Sequence, residues 1–181
     1  GIFPLLVFKP SNYYPICIIY CHGNSCDIGT SFIECYDISV NTKCVIINFE
    51  YPGFGICKDQ PFSELETYNN LQKVYLFVTQ YLGFSQNQII VYGFSLGTGI
   101  AFDIACKEEY PIAGLIIQSP LLSCARVLFN FRKTCYFDIF NNCDKAKYLK
   151  RLTFFIHGNC DLLVPYVHGR ILAKLIPQEY L

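Results

Sequence analysis

The chain has 181 residues with 14 basic and 14 acidic side chains, so its net charge is +0 and no basic face marks it for nucleic acid. It is 52% hydrophobic and only 15% charged, which excludes intrinsic disorder, while no run of about 18 strictly apolar residues spans a membrane. The 11 cysteines are an odd number without C-x-x-C or zinc spacing, so they read as small buried thiols of a reducing, cytoplasmic compartment rather than as a disulfide scaffold or metal site.

Residues 1–181 read as one domain, without internal repeat or linker. No signal peptide is visible and methionine is absent, so the natural start is expected outside this chain. Residues 3–8 form a short apolar run before Lys9-Pro10-Ser11-Asn12 and are read as the end of an edge hairpin. A strand at 16–20 runs into His22-Gly23-Asn24, and a helix-like stretch follows over 27–39. The next strand, 44–49, ends in Glu50-Tyr51-Pro52-Gly53-Phe54-Gly55. Residues 63–82 repeat apolar side chains at helical spacing, with Ser63 and Glu66 as a capping box. Strands at 89–92, 112–118 and 153–157 alternate with helices starting near Leu96 and spanning 166–175. Such alternation predicts an α/β fold, a mostly parallel sheet with helices on both faces. Residues 121–151 read as an irregular, aromatic and basic cap or lid.

The chemistry concentrates in 89–102, IIVYGFSLGTGIAF. A β-branched run stops at Gly93, G-F-S-L-G follows, and a helix begins at once. In that context G-x-S-x-G is a nucleophile elbow that lifts Ser95 to the tip of a sharp turn, with Gly93 and Gly97 leaving room where a side chain would clash. The following helix points free N–H groups at the same spot. Ligands gather beyond the carboxyl ends of such strands. There Asn24 N–H pairs with Leu96 N–H as a candidate oxyanion hole. Asp161, in the loop after 153–157, is the candidate carboxylate for orienting a histidine. Each has a plainer reading: a tight structural turn at Ser95, a Gly-Asn turn at Asn24, a capping aspartate at Asp161. Tyr51–Gly55 motif residues read as a rigid loop supporting the elbow. Asp103 and Asp138 suit the carboxylate role less well.

Together, His22-Gly23-Asn24, Tyr51-Pro52-Gly53-Phe54-Gly55, Gly93-Phe94-Ser95-Leu96-Gly97 and His157-Gly158-Asn159-Cys160-Asp161-Leu162-Leu163-Val164 resemble the α/β-hydrolase fold serine hydrolases. Ser119-Pro120-Leu121-Leu122-Ser123, Arg126-Val127, Tyr136-Phe137-Asp138 and Val167-His168-Gly169 resemble the α/β-hydrolase domain-containing protein 17 branch, which removes palmitoyl groups from cysteine thioesters. The resemblance implies Ser95 as nucleophile, Asp161 as triad acid, Asn24 and Leu96 as oxyanion donors, and no cofactor or metal. It also implies a fold incomplete at both ends, with the triad histidine expected beyond Leu181. His22, His157 and His168 are poor substitutes: the first shapes the oxyanion loop, the second ends a strand, and the third follows Asp161 too closely.

The implied substrates are S-acylated proteins or small acyl esters, met on the cytosolic face of membranes through peripheral contact. Nucleic acid is not expected, and the sequence assigns no oligomeric state. Phe129, Phe131, Tyr136, Phe137 and Phe140 with Arg126, Arg132 and Lys133 read either as an acyl groove with a basic, membrane-facing rim or as a small cap packed on the domain. Two other functions stay open: a carboxylesterase or lysolipid lipase of the same fold, and a non-catalytic binding module lacking the histidine.

Overall fold

The structure is a computed structural model that describes residues 2–129, 136 and 138–181. Among these, strands β1 (Leu5–Phe8), β2 (Cys17–Cys21), β3 (Val45–Phe49), β4 (Ile89–Phe94), β5 (Gly114–Gln118) and β6 (Thr153–Ile156) make one sheet in the order β1-β3-β2-β4-β5-β6. All neighbours are parallel except β1, which runs antiparallel to β3. The expected edge hairpin is therefore corrected. β1 is an edge strand, but β2 lies inside the sheet, and β1 pairs across β3 instead of folding back on its sequence neighbour.

Helices α1 (Phe32–Thr42), α2 (Glu64–Gln80), α3 (Gly97–Ala105), α4 (Cys124–Phe129), α5 (Asn142–Lys145) and α6 (Val167–Leu175) connect and cover the strands. Ser63 caps α2: its hydroxyl accepts from Glu66 N at 3.2 Å. The reciprocal half of the expected capping box is replaced, because the Glu66 carboxylate accepts from Asn69 instead. The fully reciprocal box forms at Ser85 and Gln88.

Strands β2 and β3 are buried at every residue, which is why they read as apolar runs broken only by Asn48, whose amide donates to the Ser31 hydroxyl. Alternate side chains serve two cores. Cys17, Ile19 and Cys21 join Val91, Ile117, Leu71 of α2, Ile100 of α3 and Leu172 of α6 on one face. Ile18 and Tyr20 join Ile46, Tyr92 and Cys35 of α1 on the other. The second face is covered unevenly, since α1 packs against β3 and β1. Farther along that face, Ile90, Ile116 and Phe154 line a shallow apolar hollow with Leu181, and Phe154 is 64% exposed.

The span 121–151 is more ordered than expected where it is described: α4 and α5 lie within it. Two of its expected groove residues are corrected. Phe140 is fully buried, packed on Tyr68 and against Gly99, because α3 has no side chain there. Arg126 is no rim cation; it is buried, bonded to Ser123 and 3.5 Å from Asp138. Phe129 and Tyr136 are exposed. Phe131, Arg132, Lys133 and Phe137 lie outside the described residues. No described helix is long and apolar enough to cross a membrane.

Candidate active site

Ser95 sits between β4 and α3 with φ at +50°, the left-handed region that a residue with a Cβ enters only under constraint. Its N–H donates to Gln118 O at 2.9 Å, and its own carbonyl accepts from Thr98 N at 3.0 Å and Thr98 Oγ1 at 2.6 Å. The turn is therefore held from both sides. The two motif glycines are steric requirements. A Cβ at Gly93 would stand 2.7 Å from Gly97 O, and one at Gly97 would stand 2.0 Å from Cys21 O. Without both, α3 could not approach β2 and β4 so closely.

The loop after β2 closes over the same point: a Cβ at Gly23 would lie 3.5 Å from Ser95 Cβ. Asn24, Ser95 and Leu96 all line one cavity of about 500 Å3. Its other walls include Phe54, Phe62, Phe94, Val127, Leu128 and Ile139, so the lining is almost wholly apolar. Among the described residues, neither Asn24 N–H nor Leu96 N–H donates to an acceptor. Leu96 precedes the first residue of α3, where helix N–H groups have no partner within the helix. Two free amide donors beside a hydroxyl are the arrangement that stabilises an oxyanion.

Cys26 and Cys124 also line the cavity. Burial pushes the Cys124 thiol to about 12, helped by nearby Asp138, and burial raises Cys26 as well. Neither supplies thiolate near neutral pH; of the two serines on the cavity wall, Ser25 and Ser95, Ser95 alone holds the strained turn at a helix start.

Asp161 is not on the cavity surface but one loop away. Its Oδ1 accepts from Leu163 N and Val164 N, each at 2.9 Å, and Leu163 and Val164 themselves line the cavity. Burial alone would raise this carboxyl. Hydrogen bonds from Val164 N–H, the Ser119 hydroxyl and Leu163 N–H outweigh it, and the group lies below the usual carboxylate range, so it is ionised. The other acids are engaged elsewhere. Asp103 is bonded to Lys107 at 2.7 Å, and Asp138 accepts from Ala125 N at the start of α4.

All three histidines are committed. His22 is buried between Gly23 O and Glu50 Oε1, at 3.0 and 3.1 Å. His157 Nε2 lies 2.8 Å from Val164 O and 3.7 Å from Asp161 Oδ2, while its Nδ1 is packed against Gly169. His168 Nδ1 accepts from Leu122 N at 3.2 Å. Burial, then the charges of His157 and Arg126, lower His168 below its usual range, so it is a neutral core histidine. The Ser95 hydroxyl has no hydrogen-bond partner among the described residues.

Sequence reading missed Glu50. It is fully buried, and its carboxylate holds the loop that carries Asn24. Its one sequence signal, an acidic residue directly after a buried strand, is weak, because such a glutamate is ordinarily solvated. The Tyr51–Gly55 motif braces this loop rather than the elbow. Tyr51 stacks on His22 at 3.9 Å between ring centres, and its hydroxyl donates to His22 O.

The profile of the phospholipase/carboxylesterase family matches residues 54–179. The chain is 31% identical over 170 residues to alpha/beta hydrolase domain-containing protein 17C of Mus musculus, an alignment covering 93% of this chain and 52% of that protein. It thus spans about half the length of the curated relatives it matches. Among solved structures it is similar to an alpha-beta serine hydrolase homologue from Coxiella burnetii, with a TM-score of 0.73 and 15% identity over 96% of this chain and 76% of that one. A monoacylglycerol lipase from Paleococcus ferrophilus gives a TM-score of 0.68 at 15% identity, covering 97% and 85%. At such identities the structures speak for the fold alone. The profile match covers more than half of the chain, with strands β4, β5 and β6 and both motif loops that follow β4 and β6, and the chain belongs to the phospholipase/carboxylesterase family of the α/β-hydrolase fold.

Proposed function

We propose that this chain is the core of a serine hydrolase that cleaves acyl thioesters and esters, with long-chain S-acylated proteins, palmitoylated ones first, as substrates. The observation that carries the reading is a strained Ser95 on the wall of a 500 Å3 apolar cavity, between two amide donors without acceptors. A volume of that size is within the range of ligand sites, and its lining suits a hydrocarbon chain better than a polar substrate.

In this mechanism a histidine takes the Ser95 proton as Oγ attacks the acyl carbonyl. The carbonyl oxygen becomes an oxyanion held by Asn24 N–H and Leu96 N–H. The carbon–sulfur bond breaks, the histidine returns its proton to the thiolate, and water then releases the fatty acid from Ser95 by the same steps. Asp161 orients that histidine and stabilises its charged form. Since His22, His157 and His168 are all committed, the base belongs to a segment beyond Leu181, for which the uncovered face of β4–β6 offers a seat. Leu128, Leu163 and Phe62 line the cavity and are exposed, and Leu162 beside them is 98% exposed. That apolar mouth supports peripheral contact with a membrane where acylated proteins reside. The buried thiols Cys17, Cys21, Cys35, Cys44 and Cys57 suit a cytoplasmic location.

The test is hydrolysis by the natural full-length chain of a palmitoyl-cysteine peptide against its acetyl counterpart. Each methylene taken from water contributes about 0.8 kcal/mol, so a preference well above tenfold in kcat/KM is expected for palmitoyl. Val127→Trp, which fills the cavity, should remove that preference and spare acetyl turnover. A preference for acetyl or for small carboxylic esters would move the reading to a carboxylesterase. Binding of palmitoyl peptide without turnover would favour the non-catalytic module, the reading that the committed histidines support for residues 1–181 alone.

A further inference from the structure

We propose that Glu50, acting through His22, is a positioning residue that aims the Asn24 N–H at the oxyanion. The inference deepens the hydrolase reading above and rests on it for its kinetic part only. The loop between β2 and α1 carries the Gly23–Asn24 peptide, whose two ends face opposite ways because it is planar and trans. Whatever fixes Gly23 O therefore fixes the direction of Asn24 N–H. Gly23 O accepts from His22 Nδ1 at 3.0 Å and from Cys26 N at 3.1 Å. A carbonyl only accepts, so the proton of this contact is on Nδ1. A rotated peptide would lose both bonds.

His22 is itself oriented from behind. Its Nε2 lies 3.1 Å from Glu50 Oε1, with both side chains fully buried. The same carboxylate accepts from Tyr51 N at 3.2 Å and, through Oε2, from Ile28 N at 3.3 Å. Glu50 thereby holds the loop at two points, one at the histidine and one past Asn24. Gly55, at φ +46°, makes room for it: a Cβ there would stand 2.2 Å from Glu50 Oε2. Tyr51 closes the far side of the imidazole by stacking. A buried carboxylate–histidine pair is a poor source of fold stability, since an apolar pair of like volume often serves as well. Its use here is directional: two contacts in series, Glu50 to His22 and His22 to Gly23 O, run to one peptide plane on the cavity wall.

The experiment measures kcat and KM of the natural full-length chain for a palmitoyl-cysteine peptide, with thermal melts to check folding. Glu50→Ala should lower kcat about a hundredfold, the usual cost of one oxyanion donor, and leave KM within about twofold. Glu50→Gln keeps one acceptor but sets its NH2 against the Tyr51 or the Ile28 N–H, so its kcat should fall between those of Glu50→Ala and wild type. Two histidine variants separate aim from bulk. His22→Asn places an amide N–H near Nδ1 and retains the bond to Gly23 O, whereas His22→Gln reaches toward Glu50 and loses it. Asn at 22 should therefore be the more active by at least about tenfold, a split that a purely structural role would not give. Equal loss in both histidine variants, or a Glu50→Ala kcat within about threefold of wild type, would overturn the proposal. If Glu50→Ala fails to fold, the histidine pair decides. If the wild type hydrolyses nothing, the hydrolase reading fails, and crystal structures of His22→Asn and His22→Gln decide the geometry: the Gly23–Asn24 peptide turned in His22→Gln alone supports the clamp, and an unchanged peptide in both refutes it.

Discussion

Ser95 holds φ at +50° although it carries a Cβ, and the surrounding contacts explain why it stays there. Gln118 O takes its N–H, Thr98 takes its carbonyl, and Gly93 and Gly97 remove the side chains that would push the turn open. Gly97→Ala should lose about 3 kcal/mol in a urea melt, because its Cβ would meet the fixed backbone of Cys21 rather than a movable side chain. A loss under about 0.5 kcal/mol would mean that the elbow has slack. His168 gives a pH signature. Its folded pKa lies below the ordinary 6.5, so the unfolded chain takes up the proton first. Its contribution is fully present above about pH 6.5 and is lost as pH falls below that value. His168→Asn keeps an acceptor for Leu122 N–H without titrating, and its Tm should fall less than that of wild type between pH 7 and 5. At this scale the sequence was informative where a residue type has few alternatives. A glycine pair around a serine leaves little choice, so Ser95 and its neighbours were legible. Glu50 was not, because an isolated glutamate after a strand is ordinarily solvated, and only the fold brings Ile28 and His22 to it.

Strands β2 and β3 announce themselves because both faces are buried, and β4 because its β-branched run stops at the motif glycine, although Ile90 and Phe94 are only partly buried. Helix α2 was legible for a different reason, its spacing and its Ser63 cap. Ser63→Ala should cost about 1 kcal/mol in a urea melt, since Glu66 N–H would lose its acceptor. No change would mean that water replaces the cap without penalty. The cap span 121–151 was the least legible element. Its short helices have no long periodic face, and the burial of Phe140 depends on Gly99 and on Tyr68 of another helix. Likewise Arg126 reads as a surface cation until Asp138 and Ser123 are seen to enclose it. The pairing of β1 across β3 is a choice of topology that a four-residue apolar run does not encode.

At the scale of the molecule, one face of the sheet is fully packed by α2, α3 and α6, whereas the other is covered by α1 over only part of its width. Parallel sheets bury both faces, so Ile90, Ile116 and Phe154 mark where further covering is to be sought. In the 181-residue chain, Phe154→Thr should leave stability within about 0.5 kcal/mol, whereas Ile117→Ala, on the packed face, should cost about 2–4 kcal/mol. Comparable losses would mean that the hollow is not open in solution. Ser95, Asn24 and Leu96 line one cavity, whereas His22, His157 and His168 each bond elsewhere. The central claim, that Ser95 is an activated nucleophile, is tested most directly by intact mass after treating the natural full-length protein and its Ser95→Ala variant with an alkyl fluorophosphonate. The account predicts one adduct on the wild type and none on the variant; a wild type left unmodified, or an adduct that persists in Ser95→Ala, would contradict it.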